Sequence, residues 1–370
     1  MAHAIQAAVE QAWPPFVLVA GLLLIGEVVQ ADGLFAALGT RIERIGGGPV
    51  VLLATLLGLE AAVTAVLNLD TAVVFLTPII IHAARQRDCD ERPFIYGALF
   101  MANGASLLLP GSNLTNLIVL AHEDFSGAEF AHRMLLPWLV VVVITIGFVA
   151  LVFRLRHEDG TAEPLPPLRL RIGAAAAAIA TVLILALHNP ALPVLAVGLA
   201  AVALRRIRPK LALPVLVGLF ALAVALGTLA RRWDGPALLL GHFGAAGNAA
   251  VGAVASILVN NLPAATLLSA QKPEHPLPLL VGLNLGPNLL FTGSLSTYLW
   301  YQAARRTDAQ PSLRLTSLLG LVLVPLTIAG ALAHWHPRTR STPPCNASDF
   351  CRLGRTSLLR RAVCGISYSQ

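Results

Sequence analysis

Two polar, Gly/Pro-rich stretches interrupt the apolar text of this 370-residue chain, and paired interruptions of this kind point to where a small-solute site lies. The first runs through Asn103, Gly104 and Ser106 to Ser112, Asn113, Thr115 and Asn116. The second runs through Asn284, Gly286 and Asn288 to Gly293, Ser294 and Thr297. A shift of 182 positions lays Gly104 on Gly286, Ser106 on Asn288, Gly111 on Gly293, Ser112 on Ser294 and Thr115 on Thr297. Two shorter interruptions, Asn68-Leu69-Asp70-Thr71 and Asn260-Asn261-Leu262-Pro263, precede them. Neutral amides and hydroxyls of this kind suit a small hydroxylated solute or a partly dehydrated cation. The plainer reading is that the Asn and Ser groups only cap helix breaks.

The elements that hold these residues are apolar. Hydrophobic residues make up 56% of the chain and charged residues 12%, half the roughly 25% charged residues of a soluble domain. Runs near 134–153, 172–187, 211–230 and 313–333 approach or reach the roughly 20 residues that span a bilayer. The chain therefore reads as an all-α polytopic membrane protein with about eight to ten segments. A retained helix is expected near 14–36, since Trp13, Pro14 and Pro15 precede the first apolar run where a cleaved signal would be basic. An apolar hairpin follows at 50–67 and 72–84 with Asn68–Thr71 at its tip, then a broken segment at 94–121 and a helix at 134–153. A linker at 154–171 separates a first repeat, 14–153, from a second, 172–333. The second holds helices at 172–187, 190–204 and 211–230, a hairpin at 245–259 and 264–270, a broken segment at 277–304 and a helix at 313–333. Composition allows each hairpin either to cross fully or to re-enter. The tail at 334–370, rich in Arg, Ser, Thr and Pro, reads as disordered.

Charge placement sets sidedness. Arg41 and Arg44, Arg85, Arg87 and Arg92, Arg154 and Arg156, Arg205, Arg206, Arg208 and Lys210, and Arg305 and Arg306 lie in short loops, which makes those loops cytoplasmic. The acidic segment 122–132 reads as external, and Arg231 and Arg232 are exceptions. The net charge of +7 thus belongs to membrane topology and not to nucleic acid. On this assignment the two hairpins open to opposite sides, which makes the halves inverted repeats. None of the four cysteines lies in an apolar run or in metal-binding spacing, and no cofactor is expected. No GxxxxGK[ST] loop supports ATP hydrolysis by this chain, which leaves the proton gradient or membrane potential as energy source and a separate ATPase subunit as a compatible partner.

Asp70 is the sharpest single residue. An intramembrane carboxyl is costly and marks function by default, and burial favours its protonated form, so Asp70 reads as a proton carrier. Glu27 is the second choice for a relay. Glu60 also lies in an apolar run, at depth or near a hairpin mouth. His188 and His242 fall near expected helix ends.

The runs Asn68–Pro78, Ser112–Asn116, Asn260–Pro263 and Asn284–Asn288 with Thr292–Thr297 and Leu299-Trp300 resemble the ion-transporter superfamily, and within it most closely the arsenite/antimonite efflux permeases of the ArsB type. Na⁺/H⁺ antiporters and carboxylate or metal–citrate carriers of the superfamily share this likeness. It covers roughly residues 16–333. The chain departs from the family in starting close to the segment that matches Phe16, where further scaffold helices are usual, and in its tail. The resemblance implies re-entrant hairpins whose tips meet the broken helices. It implies a solute site built from Asn68, Asp70, Thr71, Ser112, Asn113, Thr115, Asn116, Asn260, Asn261, Asn288, Ser294 and Thr297, with proton coupling at Asp70 and Glu27. The expected activity is export of arsenite or antimonite from a bacterial plasma membrane in exchange for protons. Na⁺/H⁺ antiport and carboxylate transport are the alternatives, and a homodimer is a compatible assembly. A membrane enzyme is disfavoured, because the sparse His and acidic residues show no catalytic spacing.

Overall fold

The computed structural model describes residues 2–155, 170–211, 213–333 and 335, and every regular element among them is helical. The expected tail lies outside the described residues except for Trp335, and the expected linker lies outside them at 156–169. The long first helix, α1 (Ala2–Ala31), begins well before the expected position 14. Pro14 and Pro15 lie within it, and Gln11 is buried against later helices, so tertiary packing extends the helix past its apolar run. The chain turns at Asp32-Gly33 into α2 (Leu34–Glu43).

The first hairpin is α3 (Pro49–Val66) and α4 (Leu69–Gln86), within three residues of the expected arms. The first broken segment is α5 (Arg92–Ala105), a 3-10 turn at Pro110–Ser112 and α6 (Leu114–Leu120). Then α7 (Gly127–Val152) takes up most of the segment read as an external loop, because Ser126 caps its start by accepting the Glu129 N–H at 3.1 Å. The second part has α8 (Ile172–Ala186), α9 (Ala191–Arg205), α10 (Leu213–Ala230) and α11 (Gly235–Gly241). A hairpin follows, α12 (Ala245–Val259) and α13 (Asn261–Leu268). The second broken segment is α14 (Pro276–Leu285), 3-10 turns at Gly286–Asn288 and Phe291–Gly293, and α15 (Leu295–Arg305), and the last helix is α16 (Leu313–Leu332). The short α11 has no counterpart in the sequence reading.

Among the described residues, α1, α3, α7, α10 and α16 are long and apolar enough to cross a membrane, and α8, α9 and α12 are apolar but shorter. Leu and Val side chains on α7, α9, α10, α12 and α16 are exposed, the outward face expected of a bilayer protein. The core lies instead on α3, α4 and α5, where Leu53, Leu56, Leu57, Leu76, Phe94 and Phe100 are fully buried. Helix pairing crosses between the two parts of the chain: α4 packs along α15, and α6 along α13. Arg85 at the end of α4 donates to the Thr307 carbonyl beyond α15 at 2.6 Å. Ser269 after α13 reaches the Ile118 carbonyl on α6 at 3.5 Å. Each hairpin's second arm thus runs beside the last arm of the other part's broken segment.

Candidate functional site

The four polar motifs share one local device. Asn68, Asn113, Asn260 and Ser294 are the N-caps of α4, α6, α13 and α15, and each side-chain oxygen accepts a backbone N–H of the helix that follows. Asn68 accepts from Thr71 at 2.7 Å and Asn113 from Thr115 at 3.0 Å. Such caps satisfy one of the donors that every helix start leaves unpaired. The plain capping role therefore holds for one residue of each motif. Three caps are extended, but Asn260 stands at φ 77°, ψ 150°, a conformation that costs about 1–3 kcal/mol for a residue with a Cβ.

The geometry of the two breaks repeats at a shift of 181, one less than the letters indicate. Leu109 and Leu290 enter the 3-10 turns with φ −118° and −132°, and the caps Asn113 and Ser294 have φ −149° and −150°. At this shift Asn103 falls on Asn284. Small residues such as Gly, Ser and Thr recur often enough to align one step out of register, whereas backbone angles do not.

Asn103 and Asn284 join the two breaks reciprocally. Asn103 Nδ2 donates to Asn288 Oδ1 at 2.7 Å, and Ser296 Oγ reaches Asn103 Oδ1 at 3.4 Å. Asn113 Nδ2 donates to Asn284 Oδ1 at 2.6 Å, and Asn284 Nδ2 to Asn116 Oδ1 at 2.7 Å. Asn116 continues to the Ser106 carbonyl at 2.7 Å, and Ser112 Oγ closes on the Leu109 and Ser106 carbonyls. All of these side chains are buried. The second hairpin joins the same network: Asn260 Nδ2 donates to the Thr292 carbonyl at 3.1 Å, and Asn261 Nδ2 to Ser294 Oγ at 3.4 Å. The structure thus brings Ser112, Asn113, Asn116, Asn260, Asn261, Asn288 and Ser294 together. The sequence reading left Asn103, Asn284, Ser106 and Ser296 out of the site. A lone Asn on an otherwise apolar helix gives little warning, and the shift of 181 was the available signal.

The first hairpin's tip docks elsewhere. A Cβ at Gly26 of α1 would lie 2.7 Å from Thr71 Cγ2, so the tip abuts α1. Asp70, in the first turn of α4, is half-buried and has no hydrogen-bond or ion-pair partner among the described residues. Glu27, next to Gly26, accepts the Lys210 backbone N–H at 3.3 Å. Asn68 Nδ2, Thr71 Oγ1, Thr115 Oγ1 and Thr297 Oγ1 are buried without a partner. These are the polar atoms still available to a solute, since the remaining amides are largely consumed by one another. No Lys or Arg side chain hydrogen-bonds to any of the site residues among the described residues, and the ionisable groups of the site are the carboxyls of Asp70 and Glu27. His188 and His242 are exposed at helix ends.

Broken helices with buried amides at the breaks, among helices that expose apolar faces, define a membrane transport protein. A family model described as a citrate transporter, CitMHS, matches residues 1–286, and the chain belongs to that family. The chain is similar to an arsenical pump membrane protein of Yersinia enterocolitica, 31% identical over 137 residues, which are 36% of this chain and 32% of the relative. It is similar to the arsenical pump membrane protein of Escherichia coli (strain K12), 30% identical over 137 residues and the same shares. The uncharacterized transporter YfbS of Escherichia coli (strain K12) is 26% identical over 133 residues, 35% of this chain and 22% of the relative. The matches thus cover a third or less of these relatives' own length. The protein is an integral membrane transporter of the bacterial cell membrane.

Proposed function

We propose that the chain is a secondary carrier that exports arsenite or antimonite in exchange for protons, built as two inverted repeats (14–153 and 172–333) with re-entrant hairpins. The observation that carries this reading is the neutral, reciprocal network of Asn103–Asn288 and Asn284–Asn113–Asn116, bordered by four capped helix starts. Helix N-termini present N–H groups and partial positive charge to the oxygens of a hydroxylated solute. Amides and hydroxyls bind such a solute and release it, as a carrier must. The reciprocal pairing of α4 with α15 and of α6 with α13 supports two repeats that contribute alike to one site. Asp70, half-buried at a hairpin tip and without a cationic partner, is the proposed proton carrier, and Glu27 is the second carboxyl beside the Gly26–Thr71 contact.

The family match favours a second reading, citrate. A multivalent anion calls for basic partners or a bound cation, and the site residues have no Lys or Arg on them. Expression in an arsenite-sensitive host separates the readings. Wild type is expected to confer resistance and lower internal arsenite, Asn284→Ala to lose both, and Asp70→Asn to lose the pH dependence of efflux. Citrate uptake without any arsenite efflux by the wild type would sink the arsenite reading.

A further inference from the structure

Glu60 lies on α3, eleven residues into the first arm of the first hairpin, and its side chain is 0% exposed. Neither carboxyl oxygen has a hydrogen-bond partner. One turn further along the same face, Thr64 is also 0% exposed, and its hydroxyl has no partner. Just past the end of α3, at the tip, Asn68 spends its oxygen on capping α4 and leaves Nδ2 buried and unpaired. A carboxyl and a hydroxyl therefore lie on the buried face of α3, roughly 6 Å apart at 1.5 Å rise per residue, and an amide follows at the tip, two residues before Asp70. Buried polar groups are nearly always paired, so unpaired ones in succession from Glu60 to the tip call for a function.

The elements packed against α3 carry Arg41 on α2, Asp70, His82 and Arg85 on α4, Arg92 and Tyr96 on α5, and Glu129, His132 and Arg133 on α7; α8 and the Pro110–Ser112 turn carry no titratable side chain. All of these groups lie near the ends of their helices, and none pairs with Glu60. An ionised carboxylate in such a place would be buried without compensation, which proteins avoid by neutralising the group.

We propose that Glu60 is a proton-binding site of the transport cycle, loaded in this conformation and reached from the hairpin tip through Thr64 and Asn68. The proposal rests on the reading of the chain as a proton-coupled carrier and adds a second proton site to Asp70. In the step that empties it, the carboxyl O–H bond breaks, the proton passes to water on one side of the membrane, and a carboxylate remains. In the step that fills it, the carboxylate takes a proton from water on the other side. Thr64 can both accept and donate, as a relay between Glu60 and the tip requires.

The test uses the full chain in lipid, with two readouts. Infrared spectra report the carbonyl stretch of protonated carboxyl groups and need no solute. Glu60→Gln is expected to remove one such band that Asp70→Asn leaves in place. In vesicles with arsenite as probe, Glu60→Gln is expected to lower pH-gradient-driven accumulation by about tenfold or more, while arsenite–arsenite exchange persists. Thr64→Val is expected to slow the gradient-driven mode and keep the infrared band. An unchanged infrared spectrum in Glu60→Gln overturns the proposal, as does equal loss of both transport modes, which marks a structural role. Dependence of the Glu60 signal on Na⁺ in place of pH overturns it too. If the wild type carries no arsenite, the solute reading fails, and the infrared result still decides Glu60.

Discussion

The first hairpin carries two carboxyls on its arms, Glu60 on α3 and Asp70 at the start of α4, whereas α12 and α13 carry no titratable residue at all. Both tips open with an Asn cap, and both second arms lie along a broken segment of the other part. The amide chemistry is thus duplicated, while the acid chemistry is confined to one side. Such a division suits a carrier in which solute contacts come from both parts and coupling from one. The packing differs in the same sense. Ile80 and Ile81 of α4 are fully buried, while Val254 and Leu258 of α12 are 55% and 74% exposed.

The largest expected effect tests whether the two amide bridges are equivalent. Asn284 holds two buried partners at 2.6 and 2.7 Å, and Asn103 holds one short bond at 2.7 Å and two long ones at 3.4 Å. Asn284→Ala leaves Asn113 Nδ2 and Asn116 Oδ1 without their partner and is expected to cost about 2–3 kcal/mol, with Asn103→Ala costing about half as much. Thermal unfolding of the purified protein in detergent checks the order. Equal losses would mean that the bridges are interchangeable.

Next in size is the contrast between the glycines that the letter alignment pairs. A Cβ on Gly286 would press on Ser256 Oγ and lie 2.7 Å from the Ala253 backbone, which cannot yield. A Cβ on Gly104 would meet Val141 Cγ1, also at 2.7 Å, a side-chain atom that yields more readily than backbone. Gly286→Ala is expected to cost about 2 kcal/mol and Gly104→Ala under about 1 kcal/mol. The same melts decide it, and a larger loss at Gly104 would contradict the packing described.

The tips differ in strain. Asn68 is an extended residue with a 2.7 Å cap, so Asn68→Ala is expected to cost about 1 kcal/mol. Asn260, at φ 77° with a cap bond of 3.4 Å, has less to lose and backbone strain to release. Asn260→Gly is expected to raise stability by about 1 kcal/mol while weakening transport, because the bond to Thr292 goes with it. A destabilised Asn260→Gly protein would show that the strain is repaid locally.

Much of this was legible in the residues, for identifiable reasons. The arms of the first hairpin were placed within three residues because Asn68 and Asp70 interrupt an otherwise continuous apolar run. The cap-bearing motifs were legible because Asn and Ser at a helix start have a local job. The start of α1 was not legible. Gln11 looks like loop text, yet it is buried, donating to the Ile118 and Ser269 carbonyls and accepting from Arg231 at 2.7 Å. Asn103 and Asn284 were passed over for the opposite reason: their partners lie 185 and 171 positions away, beyond any local pattern. The depth of Glu60 likewise depends on which helices cover α3, which no single segment announces.

The smallest effect separates the ends of the two broken segments. Beyond α15, the Arg85 guanidinium holds the Thr307 carbonyl with a charge that is permanent at any ordinary pH. Beyond α6 stands His122, half-buried, its Nε2 without a partner. Burial lowers the His122 imidazole below the usual 6.5, and the neighbouring Arg231 and Lys272 charges push it the same way, against a smaller opposing effect of the Ser269 backbone. Because the folded value lies below the unfolded one, the unfolded chain takes up the proton first as pH falls through about 6.5. Stability at this end is therefore whole above that pH and declines below it. Unfolding measured from neutral to mildly acid pH should show His122→Gln losing less stability than the wild type, while Arg85→Gln shifts the whole curve down without changing its slope. An acid slope that His122→Gln leaves intact would move the sensitivity to another group and remove this distinction between the two ends.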